Sequence, residues 1–224
     1  MFPAGHLSIG FIIAYVLIKK FSLHGISMPL VMFLSIAPDI DIFLQSAWIG
    51  SHRSMTHSAI LCIILASIFI AKYGKPALIY SLAYMQHIVI GDIVVGPVNL
   101  FYPFGTLSVD LGIKYGSLVH VLLELLLSIG MLAIILYYRR RSFFIFEFAY
   151  RRADPFMCCI LILSLTVSLA YIIHEDNYLL SLFKQSEITF SSFILSYALA
   201  TIAIVLLWLH SSHFQDKSRI VLKQ

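Results

Sequence analysis

Apolar positions in this chain follow one another in long unbroken runs. They show neither the two-residue alternation of a half-buried strand nor the one-sided stripe of a surface helix. Crossing the roughly 30 Å hydrocarbon core of a bilayer takes about 20 helical residues, fewer where the membrane thins or a helix stops short. On that measure the pattern predicts seven spans. The first covers 2–18 and closes at Lys19-Lys20; a short second covers 21–36 and is stopped by Pro38, which disfavours helical geometry at Ala37. The third covers 56–72, and the fourth 76–98, opening on Pro76 where a helix tolerates it. The fifth covers 116–138 and ends in Arg139-Arg140-Arg141, and the last two cover 155–173 and 188–209. The expected fold is all-α, a polytopic helical membrane protein of about seven transmembrane helices with five as the lower bound. The runs are too long and continuous for the alternation of a membrane barrel, so strands are not expected.

Positive charge orients the spans. With the N-terminus outside, the inner side collects Lys19, Lys20, Lys72, Lys75, Arg139, Arg140, Arg141, Arg151, Arg152, Lys217, Arg219 and Lys223, and the outer side only Arg53, Lys114 and Lys184. That asymmetry predicts an external N-terminus and a cytoplasmic C-terminal tail. Composition agrees with a membrane chain: 60% of residues are hydrophobic and 12% charged, against about 45–50% and about 25% in globular proteins. The net charge of +4 is carried by loop residues that read as anchors near anionic lipid, so no nucleic-acid partner is expected. Cys62, Cys158 and Cys159 lie in apolar spans without zinc-knuckle or disulfide spacing. A cleavable signal peptide is not expected, since the N-terminus lacks a basic region and Gly5-His6 interrupts the first apolar run.

The topology rests on lysine and arginine alone, so histidines and acids test it. His6 falls at the outer end of span one, Asp39 and Asp41 at the outer end of span two, His52 in the outer loop and His57 at the outer start of span three. At 1.5 Å per residue, His87 stands roughly 18 Å and Asp92 roughly 25 Å above Lys75, while His120 and Glu124 lie about 6 and 12 Å below Gly116. Five segments thus deliver ligand-type residues to one leaflet, where ionisable groups are costly and therefore a functional hypothesis by default.

Asp39 and Asp41 are hard oxygen donors, and neutral histidine is the commonest nitrogen donor for zinc and similar metals. Two aspartates one residue apart point differently, so one can ligate while the other bridges or orients a histidine; alone, Pro38-Asp39-Ile40-Asp41 would be a polar turn. His57 reads as a ligand at a helix start, with Thr56 or Ser54 as its N-cap. Arg53 suits bidentate grip of a phosphate, or else snorkels at the interface. His87 and Asp92 are one residue too far apart to share a regular helical face, and an irregularity near Gly91 would bring them together. His120 and Glu124 share a face and could complete the site or support it, whereas His24, His174, His210 and His213 read as interfacial.

Together, Pro38-Asp39-Ile40-Asp41, His52-Arg53-Ser54-Met55-Thr56-His57-Ser58, His87 with Gly91-Asp92, and Tyr102-Pro103-Phe104-Gly105 resemble the YdjM-like membrane-bound metal-dependent hydrolases. These are sometimes described as LexA-regulated inner-membrane proteins of bacteria and archaea. The resemblance covers roughly residues 1–125, a metal-site core to which 126–224 would add the remaining helices and tail of the same membrane domain. Two positions depart from the family pattern: it more often shows His-x-x-x-Asp, and it places a glutamate shortly after a Gly-Ser pair, where this chain has His120 and then Glu124.

The resemblance implies a hydrolase of the plasma (inner) membrane, acting on phosphoesters through a divalent metal, zinc first among candidates. The expected ligands are His6, Asp39, Asp41, His57, His87 and Asp92, with His52 as acid or base and Arg53 as phosphate clamp. The site would face outward and take a membrane lipid or lipid-like substrate. The alternative is a non-enzymatic membrane protein, either a divalent-metal transporter or a metal-stabilised scaffold.

Overall fold

The computed structural model describes residues 1–39, 55–105, 107–140, 154–174 and 186–221. Among them are seven helices: α1 (Pro3–Phe21), α2 (Met28–Ile36), α3 (Ala59–Tyr73), α4 (Lys75–Val95), α5 (Leu118–Arg140), α6 (Asp154–His174) and α7 (Glu187–Val221). Four carry stretches long and apolar enough to cross a membrane: Pro3–Phe21, Lys75–Val95, Leu118–Tyr137 and Glu187–Leu209. The stretches Met28–Asp39, Ala59–Tyr73 and Phe156–Ala170 are apolar but shorter.

The seven predicted runs are therefore seven helices, but two, α2 with nine residues and α3 with 15, fall short of a full span. The clearest case is α2, whose nine residues reach only about 14 Å. The expected second span fails over 21–27 for local reasons. Ser22 (φ 48°) ends α1 in the left-handed region, with its N–H bonded to the Ile18 carbonyl, and Gly25 (φ 71°) follows. Ser27 then caps α2 by accepting from Leu30 N–H, with Pro29 in the first turn. A 3₁₀ turn over 37–39 closes α2. Two further boundaries differ from expectation. The cap of α3 is Ser58, which accepts from Leu61 N–H, rather than Thr56 or Ser54, and α7 continues beyond Leu209 to Val221.

The bundle is built around α1. It is 56% buried, against 44%, 33% and 39% for the other three long stretches. It packs on α2, α4, α5 and α7; α7 also lies along α5 and α6, and α6 contacts α2. Gly10 of α1 meets Ser35 of α2 so closely that no side chain would fit there, the small-residue contact that lets helices approach within lipid. By contrast α3 packs mainly on α4. It buries only Cys62 and exposes Ile63, Ile64, Leu65, Ile68 and Phe69, as a helix facing hydrocarbon should.

Between α4 and α5 the chain forms a two-residue antiparallel ladder, β1 (Val98–Asn99) on β2 (Ser108–Val109), a departure from the strand-free expectation that spans nothing. Backbone bonds from Ala59 N–H to Leu100 and from Leu111 N–H to Ile93 tie this loop to the start of α3 and the end of α4.

Candidate metal centre

Three elements supply the centre. Asp39 ends the 3₁₀ turn after α2, His57 lies in the turn ahead of α3, and His87 and Asp92 bound a π-helical segment inside α4. The π segment answers the awkward spacing. In a regular helix, residues five apart diverge by about 140°. Here the Ile93 N–H reaches back to Ile88 rather than Val89, and the wider turn brings Asp92 round beneath His87.

The donor atoms converge. His57 Nε2 is 3.1 Å from Asp92 Oδ2 and 3.6 Å from Asp39 Oδ1, and His87 Nε2 is 3.2 Å from Asp39 Oδ1 and 3.4 Å from Asp92 Oδ2. One ligand atom from each of the four residues lies within 4.8 Å of every other. Metal–ligand bonds of about 2.0–2.1 Å in a tetrahedral site put neighbouring donors roughly 3.3 Å apart, within the 3.1 to 3.6 Å seen across the four histidine–aspartate pairs. Two imidazole nitrogens and two carboxylate oxygens suit zinc or a comparable first-row ion better than calcium or magnesium. His87 Nε2 is buried and makes no hydrogen bond among the described residues, as expected of a nitrogen reserved for a metal. The four residues therefore fit a divalent ion; its identity is not fixed by the donor set.

The groups behind the donors orient them. His87 Nδ1–H donates to the Ser35 carbonyl at 2.7 Å; a carbonyl can only accept, so the lone pair is left on Nε2, facing the cluster. His57 Nδ1 pairs with the Thr56 hydroxyl at 2.9 Å. The turn carrying His57 is held from two sides: Tyr84 OH donates to the Thr56 carbonyl at 2.8 Å and Ser58 Oγ to the Tyr102 carbonyl at 2.6 Å.

His6 stands beside this set. Its ring stacks on His87, centroids 3.7 Å apart and 15° between planes, and its Nε2 is 3.6 Å from Asp92 Oδ1. It is fully buried, and among the described residues neither ring nitrogen makes a hydrogen bond. Asp92 thus presents Oδ2 to His57 and His87, and Oδ1 to His6 and to the Met1 amino group at 3.2 Å. Gly91 makes this contact possible, because a Cβ there would overlap the His6 ring.

His120 and Glu124 are not part of the four-donor cluster. Gly116 N–H donates to His120 Nδ1 at 3.0 Å, so His120 Nε2–H donates to Glu124 Oε1 at 2.9 Å. Glu124 also accepts from Phe2 N–H, and the Phe2 ring stacks on His120 at 4.8 Å. The pair fastens the start of α1, one turn before His6. Asp41, His52 and Arg53 lie outside the described residues.

Sequence reasoning passed over Ser35, Tyr84 and Phe2. Tyr84 carried a signal, since it lies three residues before His87 on the same helical face. Ser35 acts through its carbonyl and Phe2 through its N–H as well as its ring, and no residue type announces a backbone contact.

The family model described as YdjM inner membrane protein matches residues 1–210, well beyond the first five helices and into α7. No curated protein and no solved structure matches the chain. With its apolar helices and a match over nearly its whole length, the chain belongs to the YdjM inner membrane protein family.

Proposed function

We propose that this protein is a membrane-embedded, metal-dependent hydrolase that cleaves a phosphoester in an amphiphilic substrate. One observation carries the proposal: two imidazole nitrogens and two carboxylate oxygens meet at 3.1 to 3.6 Å inside a bundle of apolar helices. A divalent ion held there, zinc first among candidates, would supply an activated water and a Lewis acid for the scissile bond.

The chain's own residues do the positioning. The Ser35 carbonyl and Thr56 hydroxyl hold the two rings with Nε2 inward. His6 Nε2, buried beside Asp92 Oδ1, is placed to hold a proton at the edge of the cluster. We assign Asp41 as a further ligand, His52 as acid or base toward the leaving group and Arg53 as phosphate grip, on sequence grounds. The lysine and arginine asymmetry supports an external N-terminus and an outward-facing site in the plasma membrane of a bacterium or archaeon. A compartment-restricted tag inserted after Arg53 tests this: it should report the outside, and an internal signal would reverse the orientation.

A second reading, a metal that only stabilises the bundle, is favoured by the same spacing. Four protein donors are enough to fill the coordination of a tetrahedral ion, as in structural zinc sites. Purified protein separates the two readings when bound metal is quantified and phosphoester and phospholipid hydrolysis assayed. Metal with turnover, both lost in His57→Ala, supports the hydrolase; metal without turnover on any substrate supports the scaffold.

A further inference from the structure

The four donor side chains are unequally sealed. His57 and His87 have no exposure and Asp92 has 2%, whereas Asp39 has 18%. Asp39 also lines a half-open cleft of about 220 Å³ between α2 and α6, to which α1 contributes Pro3. Phe33 and Ile36 form the α2 wall, and Leu163 and Val167 the α6 wall.

Ser164 and Ser168 complete the α6 wall, yet add little polarity. Each hydroxyl donates at 2.8 Å to a carbonyl one turn back in the same helix, that of Ile160 or of Ser164. The cleft is thus lined by hydrocarbon, apart from a carboxylate of the metal centre. Leu163 is 63% and Val167 42% exposed, so its rim is continuous with the outward apolar flank of α6. Enclosed pockets for whole small ligands run to about 300–1,000 Å³. This cleft is smaller and laterally open, a shape that suits one chain of a larger molecule.

We infer that the α2–α6 cleft takes one hydrocarbon chain of a membrane lipid, entering sideways from the bilayer, so that the phosphate-bearing headgroup arrives at Asp39. The inference deepens the hydrolase reading and rests on it for the fate of the headgroup, while the lipid site itself can be tested alone. It supplies an entry that needs no water-filled opening, and it accounts for Asp39 being the most exposed of the four donors.

The test uses the full chain in nanodiscs of phosphatidylethanolamine and phosphatidylglycerol, doped with a phosphatidylglycerol that carries a diazirine in one acyl chain. Photo-adducts are mapped by mass spectrometry and bound metal is measured on the same sample. Adducts are expected at Phe33 in the cleft as well as on the open lipid face at Ile63 and Ile68. Val167→Trp, which fills the cleft, should abolish the Phe33 adduct and leave those on α3; Ser164→Leu provides the same block by a smaller change. Labelling restricted to α3 in the wild-type chain, or a Phe33 adduct that survives both substitutions, would overturn the inference. Cleft adducts in a chain without metal uphold the lipid site and remove the hydrolase reading. A metal-loaded chain without cleft adducts removes the lipid site alone.

Discussion

Replacing Gly91 with alanine tests whether His6 and the π segment form one packed unit. A Cβ at Gly91 would overlap Cε1 and Nδ1 of His6 and lie 3.4 Å from its Nε2. The ring cannot simply move away, because it is fully buried and lies flat on His87 at 3.7 Å. Overpacking of this kind costs about 1–3 kcal/mol. The displaced ring would also push His87, whose Nε2 sits at 3.2 and 3.4 Å from the two aspartates. Disturbing the groups that support a ligand lowers metal affinity by roughly 10–100-fold.

Gly130→Ala in α5 is the internal control. Its Cβ would meet only Ile12 Cδ1, at an ordinary 3.7 Å, and should stabilise its helix by up to about 1 kcal/mol. Denaturant unfolding in detergent, with and without added metal, and a competitive metal titration provide both readouts. The double variant Gly91→Ala/His6→Ala should recover much of the lost stability, since residues in contact are not additive. A Gly91→Ala protein as stable and as tight for metal as Gly130→Ala would refute the reasoning.

Other consequences can be checked on the same preparation. Glu124→Ala strands two buried donors, His120 Nε2–H and Phe2 N–H, at about 1–3 kcal/mol each. It should lower stability while metal stoichiometry at saturation stays unchanged, and a loss of metal equal to that of His57→Ala would place Glu124 among the ligands instead. Ser58→Ala removes the cap of α3 and the bond to Tyr102; a cost of about 1 kcal/mol for the cap should appear in unfolding, together with faster protease cleavage of the 96–116 loop. Metal affinity should fall as pH is lowered, because imidazoles bind metal only when neutral and carboxylates only when ionised. A chelator-competition series across pH 5 to 8 that showed affinity rising toward acid would contradict a histidine–aspartate site.

The helices were legible in the sequence because lipid-facing and buried positions in a membrane bundle are both apolar, so runs survive wherever a helix does. What misled was a turn made of apolar-compatible residues. Phe21–Ser27 looks continuous with its neighbours, yet Ser22 and Gly25 adopt positive φ and Ser27 begins a new helix. Asp39, His57, His87 and Asp92 stand out in the sequence as polar residues among hydrocarbon, and the charge asymmetry predicted a shared depth for residues that the structure brings together.

Convergence itself was less legible. The Gly91-Asp92 spacing hinted at an irregular helix but could not say that the turn would be π-type. His120 and Glu124 were visible as a pair four apart, but nothing showed that Glu124 would accept from the Phe2 backbone N–H while His120 stacks on the Phe2 ring. Backbone groups such as the Ser35 carbonyl leave no mark in a residue pattern and emerge only from packing.

The most direct test of the central claim is the metal itself. Protein purified in detergent, dialysed free of loose ions and examined by elemental analysis and X-ray absorption should hold a first-row divalent ion at about 2.0–2.1 Å from nitrogen and oxygen donors. Imidazole scattering should be present in the wild-type chain and diminished, with the metal content, in His57→Ala and His87→Ala. A wild-type protein that carries no metal, or variants that retain the same ion with the same imidazole signal, would contradict the account.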